Sequence, residues 1–210
     1  MKTLFNLAVC ASELRRFPDR RTLLALMEGF DGVELLACGE DKHGIVPKER
    51  VFGLHMRSFP YWLDFWRGDK RALIREFGSL AVCERYYGGS TPGALLDGLR
   101  RDLQAARAYG AEYVVFHVSD ASIEESFTGR YRHTDEEVIE AACELLNELF
   151  GDLEGDGPAL LLENLWQPGL TFTRPEMTRR LLDGVRYENK GLLLDTGHLL
   201  HTNESIRTQP

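Results

Sequence analysis

The sequence predicts an α/β fold built on a parallel β-sheet. Short apolar segments recur along the 210-residue chain, and helix-length segments with apolar residues at three- and four-residue spacing lie between them. Several of the apolar segments also lack strict apolar–polar alternation, which is typical of strands covered on both faces. Alternation of strands with helices is characteristic of parallel sheets. Two architectures remain open at this point, a barrel and a doubly wound open sheet.

The strands are predicted from six segments rich in Val, Leu or Phe. In chain order, the predicted strands cover residues 4–10, 32–36, 51–57, 112–119, 159–165 and 191–194. No phosphate-binding motif of the form GxGxxG or GxxxxGK[ST] follows any of them. The usual nucleotide-binding signatures of an open sheet are therefore missing.

The helices are predicted from apolar spacing and from residues that favour helix starts. Apolar residues three or four positions apart indicate helices around residues 23–30 and 95–106. Thr134, followed three residues later by Glu137, is a capping-box pattern that opens a third helix. The segment Thr173-Arg-Pro-Glu176 opens a fourth helix, which should end near Gly184.

Composition limits the class of protein. The chain is 43% hydrophobic and 28% charged, as expected of one globular domain over residues 1–210. No apolar run approaches the ~20 residues of a membrane span, and the N-terminus lacks a signal-peptide cleavage pattern. We therefore expect a cytoplasmic protein without membrane contact. The net charge of -8 weighs against nucleic acid as a partner, although bound metal ions can reverse the field inside a cleft.

The cysteines and three of the histidines give no functional signal. Four widely spaced cysteines form no CxxC pair and are predicted to be free buried thiols rather than zinc ligands or a redox pair; they are Cys10, Cys38, Cys83 and Cys143. Three histidines follow no predicted strand and are expected on the surface; they are His43, His133 and His201.

Polar side chains end four of the predicted strands. They are His55, His117, Glu163, and Asp195 with His198. In a parallel barrel the carboxyl ends of the strands share one face, where active sites form. Imidazoles and carboxylates together suit divalent ions such as zinc, manganese, cobalt or iron, which act as Lewis acids. For each residue alone a structural role is the alternative: a hydrogen-bonded histidine, or Asp195 capping the next helix.

Aromatic residues lie next to two of these strand ends. An aromatic run at residues 59–66, containing Trp62 and Trp66, directly follows His55, while Asn164 and Trp166 flank Glu163. Aromatic rings can stack on the apolar face of a sugar or on a base. We interpret Trp62, Trp66, Asn164 and Trp166 as candidate substrate contacts. Packing in the core is the alternative.

The strand-end motifs GLHMRSFPYWLDFW, VVFHVSD, LLLENLWQPG and GLLLDTGHLLHTN resemble those of the xylose-isomerase-like TIM barrels. This superfamily joins sugar isomerases and epimerases with endonuclease IV, of AP endonuclease family 2. For an isomerase, the resemblance implies one divalent metal held by Glu163 and Asp195, with Glu163 exchanging a substrate proton and His198 near the substrate. For an endonuclease IV-like enzyme, it implies zinc ions with His55, His117 and His198 as further ligands.

The resemblance implies a TIM-type (β/α)8 barrel, of which the chain supplies about six βα units. A complete barrel takes roughly 250 residues, so we expect a truncated chain lacking strands seven and eight, or a gap filled by another chain. The expected function is isomerisation or epimerisation of a small sugar, by proton transfer next to a metal-bound carbonyl. Two alternatives stay open: a phosphodiesterase acting on abasic DNA, and a non-catalytic sugar-binding barrel. Barrels of this kind often pair, which keeps a homo-oligomer open.

Overall fold

The computed structural model describes residues 1–36, 38–39, 41, 44–151, 153 and 157–208, with side chains through residue 203. Within this part of the chain, six parallel strands pair in sequence order to form one sheet. They are β1 (Leu4–Ala8), β2 (Gly32–Leu36), β3 (Val51–His55), β4 (Tyr113–His117), β5 (Ala159–Glu163) and β6 (Lys190–Leu193). A doubly wound sheet reverses its strand order, whereas this order is that of a barrel wall.

Helices connect and cover the strands. They are α1 (Ala11–Leu14), α2 (Arg20–Leu26), α3 (Leu63–Arg67), α4 (Lys70–Phe77), α5 (Leu80–Tyr87), α6 (Gly93–Tyr109), α7 (Ile123–Thr128), α8 (Asp135–Leu149), α9 (Pro175–Gly184) and α10 (Thr196–Thr208). A 3₁₀ turn at Lys48–Arg50 precedes β3. No helix in the described part of the chain is long and apolar enough to cross a membrane.

The predicted α/β class and its parallel strands are confirmed. Most of the predicted strands are one to several residues longer than the observed ones, because the apolar runs continue past the last paired residue. Thr134 forms the predicted capping box with Glu137 at the start of α8. At α9 the boundary differs: the helix begins at Pro175, with Arg174 at the N-cap. Thr173 instead bonds the Thr171 hydroxyl ahead of the helix.

A tyrosine on β4 crosses the neighbouring strand on one face of the sheet. The Tyr113 hydroxyl donates a 2.6 Å hydrogen bond to Glu34 on β2, and the ring passes over Gly53 on β3. A Cβ placed on Gly53 would lie 2.1 Å from Tyr113 Cζ. Gly53 is therefore required for three successive strands to pack around this ring.

The prediction of buried thiols is wrong for three of the four cysteines. Cys83 is buried, whereas Cys10 and Cys143 are half-buried and Cys38 is exposed. Cys10 and Cys38 follow the ends of β1 and β2, where the chain leaves the core. His43 lies outside the described residues.

Candidate metal centre

Strand register brings the predicted site residues together. His117 and Glu163 end β4 and β5 and are direct register partners. His55 ends β3 and pairs with Val115, two residues before His117 on the adjacent strand. Residues more than a hundred positions apart in sequence therefore meet at the carboxyl edge of the sheet. This convergence is the one predicted from the parallel arrangement of the strands.

The Glu163 carboxylate lies among three imidazoles. Its Oε2 atom is 3.0 Å from His55 Nε2 and 3.3 Å from His117 Nε2. Its Oε1 atom is 3.3 Å from Nδ1 of His198 on α10. The His55 and His117 rings meet edge-on, with centroids 4.5 Å apart. Glu163 itself is only 4% exposed, so this charge is neutralised by protein groups or bound cations rather than by bulk water.

The orientation of His55 directs a nitrogen lone pair at the Glu163 carboxylate. Its Nδ1 atom lies 3.1 Å from the Met56 carbonyl oxygen, which can only accept a hydrogen bond, so Nδ1 carries a proton. A neutral His55 then directs the lone pair of Nε2 at the Glu163 carboxylate. Two acceptors facing each other require a positive charge between them, supplied either by a second proton on the imidazole or by a metal ion. A backbone carbonyl on the distal nitrogen is the usual partner of a metal-binding histidine.

The pKa values of Glu163 and His55 are consistent with a positive charge beside the Glu163 carboxylate. Burial alone would raise the pKa of Glu163, but hydrogen bonds from His117 and His55 outweigh it and lower the pKa to about 2. Burial opposes protonation of His55, yet its bonds to Glu163 and to the Met56 carbonyl raise its pKa above the ordinary value. The carboxylate is thus anionic at neutral pH, as a metal ligand must be.

The second half of the site is held by an amide bridge between β5 and the residue after β6. The side chain of Asn164 accepts a 2.8 Å bond from the Asp195 N–H and donates a 3.1 Å bond to the Asp195 carbonyl. Asp195 Oδ1 in turn accepts from the His198 N–H at 2.7 Å, near the start of α10. The capping bond considered as the structural alternative for Asp195 is therefore present, and its other oxygen, Oδ2, lies 3.7 Å from His198 Nδ1.

Two groups of three side chains could each hold a metal ion among the described residues. One is His55, His117 and Glu163, and the other is Glu163, Asp195 and His198. Within each group the ligand atoms all lie within 4.8 Å of one another. Nitrogen and carboxylate donors in threes match catalytic zinc and related sites, which leave a further position for water or substrate. The residues therefore fit divalent ions, and Glu163 is common to both groups.

The model of the family described as xylose isomerase-like TIM barrel matches residues 24–209. The chain belongs to the xylose isomerase-like TIM barrel family. Members of this family usually bind divalent metal ions, in agreement with the donor set at the strand ends. The search of curated protein sequences returns no match to this chain.

A solved structure shares the fold of this xylose isomerase-like chain, and a second matches it more weakly. A D-tagatose 3-epimerase-like protein is 18% identical with a TM-score of 0.53, and the match covers 94% of this chain and 66% of that one. A structure of AsfvAP:AG is 11% identical with a TM-score of 0.48, covering 96% of this chain and 63% of that one. This chain thus spans about two thirds of each structure's length.

The aromatic candidates lie in different places around the xylose isomerase-like site. Trp166 is half-buried, and its ring lies 5.1 Å from that of His198 and 5.2 Å from that of His201. Trp62 is 4% exposed, with its indole N–H donating to the Ser119 carbonyl. Trp66 bonds Glu144 on α8, outside the ligand group. Of these three tryptophans, Trp166 is the one that packs against a candidate ligand with part of its ring exposed. Substrate contact by Trp62, Trp66, Asn164 and Trp166 stays a prediction.

Two buried acids position the segments that follow the strand ends. Their sequence context had not marked either one as a site residue. Asp102 on α6 is 2% exposed and binds the backbone and guanidinium of Arg57, two residues after His55. Asp120, three residues after His117, accepts from the N–H groups of Trp62 and Leu63. In sequence both look like ordinary charged residues of a helix and a loop. Only their partners, 45 or more positions away, show that they are buried.

The surface prediction is wrong for one histidine and confirmed for another. His133 is only 18% exposed in its side chain, and its Nε2 lies 3.2 Å from Asp64 Oδ1. The buried Asp64 carboxylate favours the protonated ring and raises the pKa of His133, although burial of the ring opposes this. His201 is exposed, as expected, and packs against Trp166.

Proposed function

We propose that the site holds two divalent metal ions that share Glu163 and that it hydrolyses a phosphodiester. The observation that carries the proposal is the common carboxylate: one group of three ligands lies on each side of Glu163. A pair of metal ions roughly 3.5–4 Å apart stabilises both the attacking and the leaving oxygen of a phosphoryl centre. This is the chemistry that the ions would supply here.

The residues of the chain favour a ligand role for Glu163 over a role as a base. Both carboxylate oxygens lie within 3.3 Å of imidazole nitrogens, and the side chain is almost fully buried. A base that abstracts a proton from a substrate carbon needs an oxygen free to face that carbon. His55 and His117 also have no assigned role in the one-metal arrangement, whereas the two-metal arrangement uses both as ligands.

The charge of the chain favours a small substrate over a long polyanion. With a net charge of -8, the protein repels an extended phosphate backbone at low salt. A compact phosphodiester can be held by the metal ions and by the half-buried ring of Trp166. Abasic DNA is the larger substrate to test beside it.

Metal content and hydrolysis test this function together, on this chain and on any longer protein that contains it. Purified without chelators and loaded with zinc or manganese, the protein should bind two ions per chain and hydrolyse bis(p-nitrophenyl) phosphate. Because Glu163 belongs to both groups, Glu163→Gln should lose both ions, whereas His55→Ala and Asp195→Asn should each lose one. His201→Gln, on α10 but outside both groups, is the matched control and should keep both. A wild-type protein that binds only one ion, or a His55→Ala variant that keeps both ions, would overturn the two-metal proposal.

Isomerisation or epimerisation of a small sugar is the second candidate. It is favoured by the group Glu163, Asp195 and His198, which alone suffices for one metal, and by the Trp166 ring beside it. The fold is also similar to that of the D-tagatose 3-epimerase-like protein. A metal-dependent exchange of ketose C–H protons with solvent that disappears in Glu163→Gln, without any phosphodiester cleavage, would establish it instead.

A further inference from the structure

Two cysteines far apart in sequence lie side by side at the carboxyl ends of β1 and β2. Ala8 and Leu36 are the last register partners of these strands, and the Val9 N–H still donates to the Leu36 carbonyl. Cys10 and Cys38 each follow that last pair by two residues. Adjacent strands are about 4.8 Å apart, which is inside the Cα spacing of about 4.4–6.8 Å that a disulfide requires.

The surroundings place the two thiols near each other, and each thiol shifts the pKa of the other. A Cβ built on Gly39, next to Cys38, would lie 3.1 Å from Cys10 Cα and 2.6 Å from the Val9 carbonyl oxygen. Glycine at this position therefore lets the chain after β2 approach Cys10 closely. Both thiols line one open cleft of about 870 Å³, so small oxidants can reach them.

We propose that Cys10 and Cys38 form a reversible disulfide when the protein meets a hydroperoxide. The Cys10 thiolate attacks the outer peroxide oxygen, so that an S–O bond forms, the O–O bond breaks and the alcohol or water leaves with a proton. Cys38 sulfur then attacks Cys10 sulfur, the S–S bond forms, the S–O bond breaks, and hydroxide leaves as water with the Cys38 proton. Two thiols are oxidised and one peroxide is reduced.

The environments of the two sulfurs suit these separate roles. The hydroxyl of Ser12 lies 3.1 Å from Cys10 Sγ, and this contact, with the Glu13 backbone, lowers the pKa of Cys10. Partial desolvation of its sulfur and the neighbouring Cys10 raise the pKa of the otherwise exposed Cys38. A thiol with a lowered pKa beside a second thiol is the usual arrangement of attacking and resolving cysteines. The arrangement is independent of the proposed metal centre.

The remaining cysteines serve as internal controls. Cys83 is buried, and burial raises its pKa. Cys143 is half-buried, and burial raises its pKa to about 11. Both should therefore stay reduced at peroxide concentrations that oxidise Cys10. Oxidation should remove two of the four free thiols and leave the other two titratable after unfolding.

Thiol titration and peptide mapping test the proposal on the intact chain. After reduction, desalting and treatment with one equivalent of hydrogen peroxide, the mass should fall by two hydrogen atoms. Mapping should link the Cys10 and Cys38 peptides, and dithiothreitol should reverse the link. Cys38→Ser should leave Cys10 as a sulfenic acid that dimedone traps, and Cys143→Ser should behave as the wild type. Links through Cys143, disulfides between chains, or four thiols that persist would each overturn the proposal.

Discussion

The ion pair between Asp102 and Arg57 should be a large single contributor to stability. The two carboxylate oxygens of Asp102 accept from the Arg57 backbone N–H at 2.9 Å, from Nε at 2.9 and 3.1 Å, and from Nη2 at 2.7 Å. Asp102 is buried on α6, while the side chain of Arg57 is 33% exposed. The contact fixes the segment that follows β3, next to the candidate ligand His55.

Asp102→Ala should lower the free energy of unfolding by about 2–4 kcal/mol, because breaking a buried pair costs about 3–5 kcal/mol and the partial exposure of Arg57 reduces this. Urea unfolding followed by circular dichroism should show a lower midpoint with an unchanged m-value. Asp97→Ala is the matched control, since its pair with Arg100 on the same helix is mostly exposed, and should cost at most about 0.5 kcal/mol.

The double variant Arg57→Met, Asp102→Leu separates the cost of an unpaired charge from the value of the pair. Replacing a buried ion pair by apolar residues of similar size is often neutral. We therefore expect the double variant to be more stable than Asp102→Ala. A loss below about 0.5 kcal/mol in Asp102→Ala, equal to that of the Asp97 control, would refute the reasoning from burial.

Three further predictions follow from packing and from pKa shifts, and urea unfolding measures each of them. Gly53→Ala should cost about 1–3 kcal/mol because the new methyl group overlaps the Tyr113 ring, and adding Tyr113→Ala should relieve that overlap. Burial raises the pKa of Asp120 to about 6, so the folded state binds a proton there that the unfolded chain releases. The stability difference between wild type and Asp120→Asn should therefore shift against the wild type as pH rises from about 4 to 6. The bond to Asp64 raises the pKa of His133, which stabilises the fold below the unfolded pKa of about 6.5; the destabilisation caused by His133→Gln should shrink as pH rises through the raised pKa.

The strand ends and their convergence could be predicted from the sequence because both depend on local patterns. An apolar run of strand length that stops at a histidine or an acid indicates a side chain at the edge of a sheet. The parallel order of strands then places His55, His117 and Glu163 at the same edge, where the structure brings them together. Neither step requires a distance to be known in advance.

The segment between β3 and α6 could not be assigned in the same way. Residues 63–87 form three short helices, α3, α4 and α5, each ended by a glycine with positive φ: Gly68, Gly78 and Gly88. The shortest has only five residues. A periodicity of 3.6 residues needs about two or three turns to be recognised. Because a glycine ends each helix after five to eight residues, the apolar spacing is too short to indicate these helices.

Pairs formed between residues far apart in the chain could not be predicted from the sequence either. The contact of His133 with Asp64 joins residues 69 positions apart, and neither follows an apolar strand. Cys10 and Cys38 have no common motif, and the spacing of cysteines alone indicated separate thiols. Their contact depends on how the chain leaves two adjacent strands, which in turn depends on a glycine at position 39.

The pairing register of β4 and β5 also determines whether the candidate metal centre forms. His117 faces Glu163 only because β4 and β5 pair at that position. A slip of one residue would turn every side chain of β4 to the opposite face, moving the His117 imidazole into the layer of helices. The buried Glu163 carboxylate would then lose a neutralising partner in addition to the ladder contacts. Charge in the site therefore favours the same register as the apolar core, so the residues that suit metal binding also help to specify the fold.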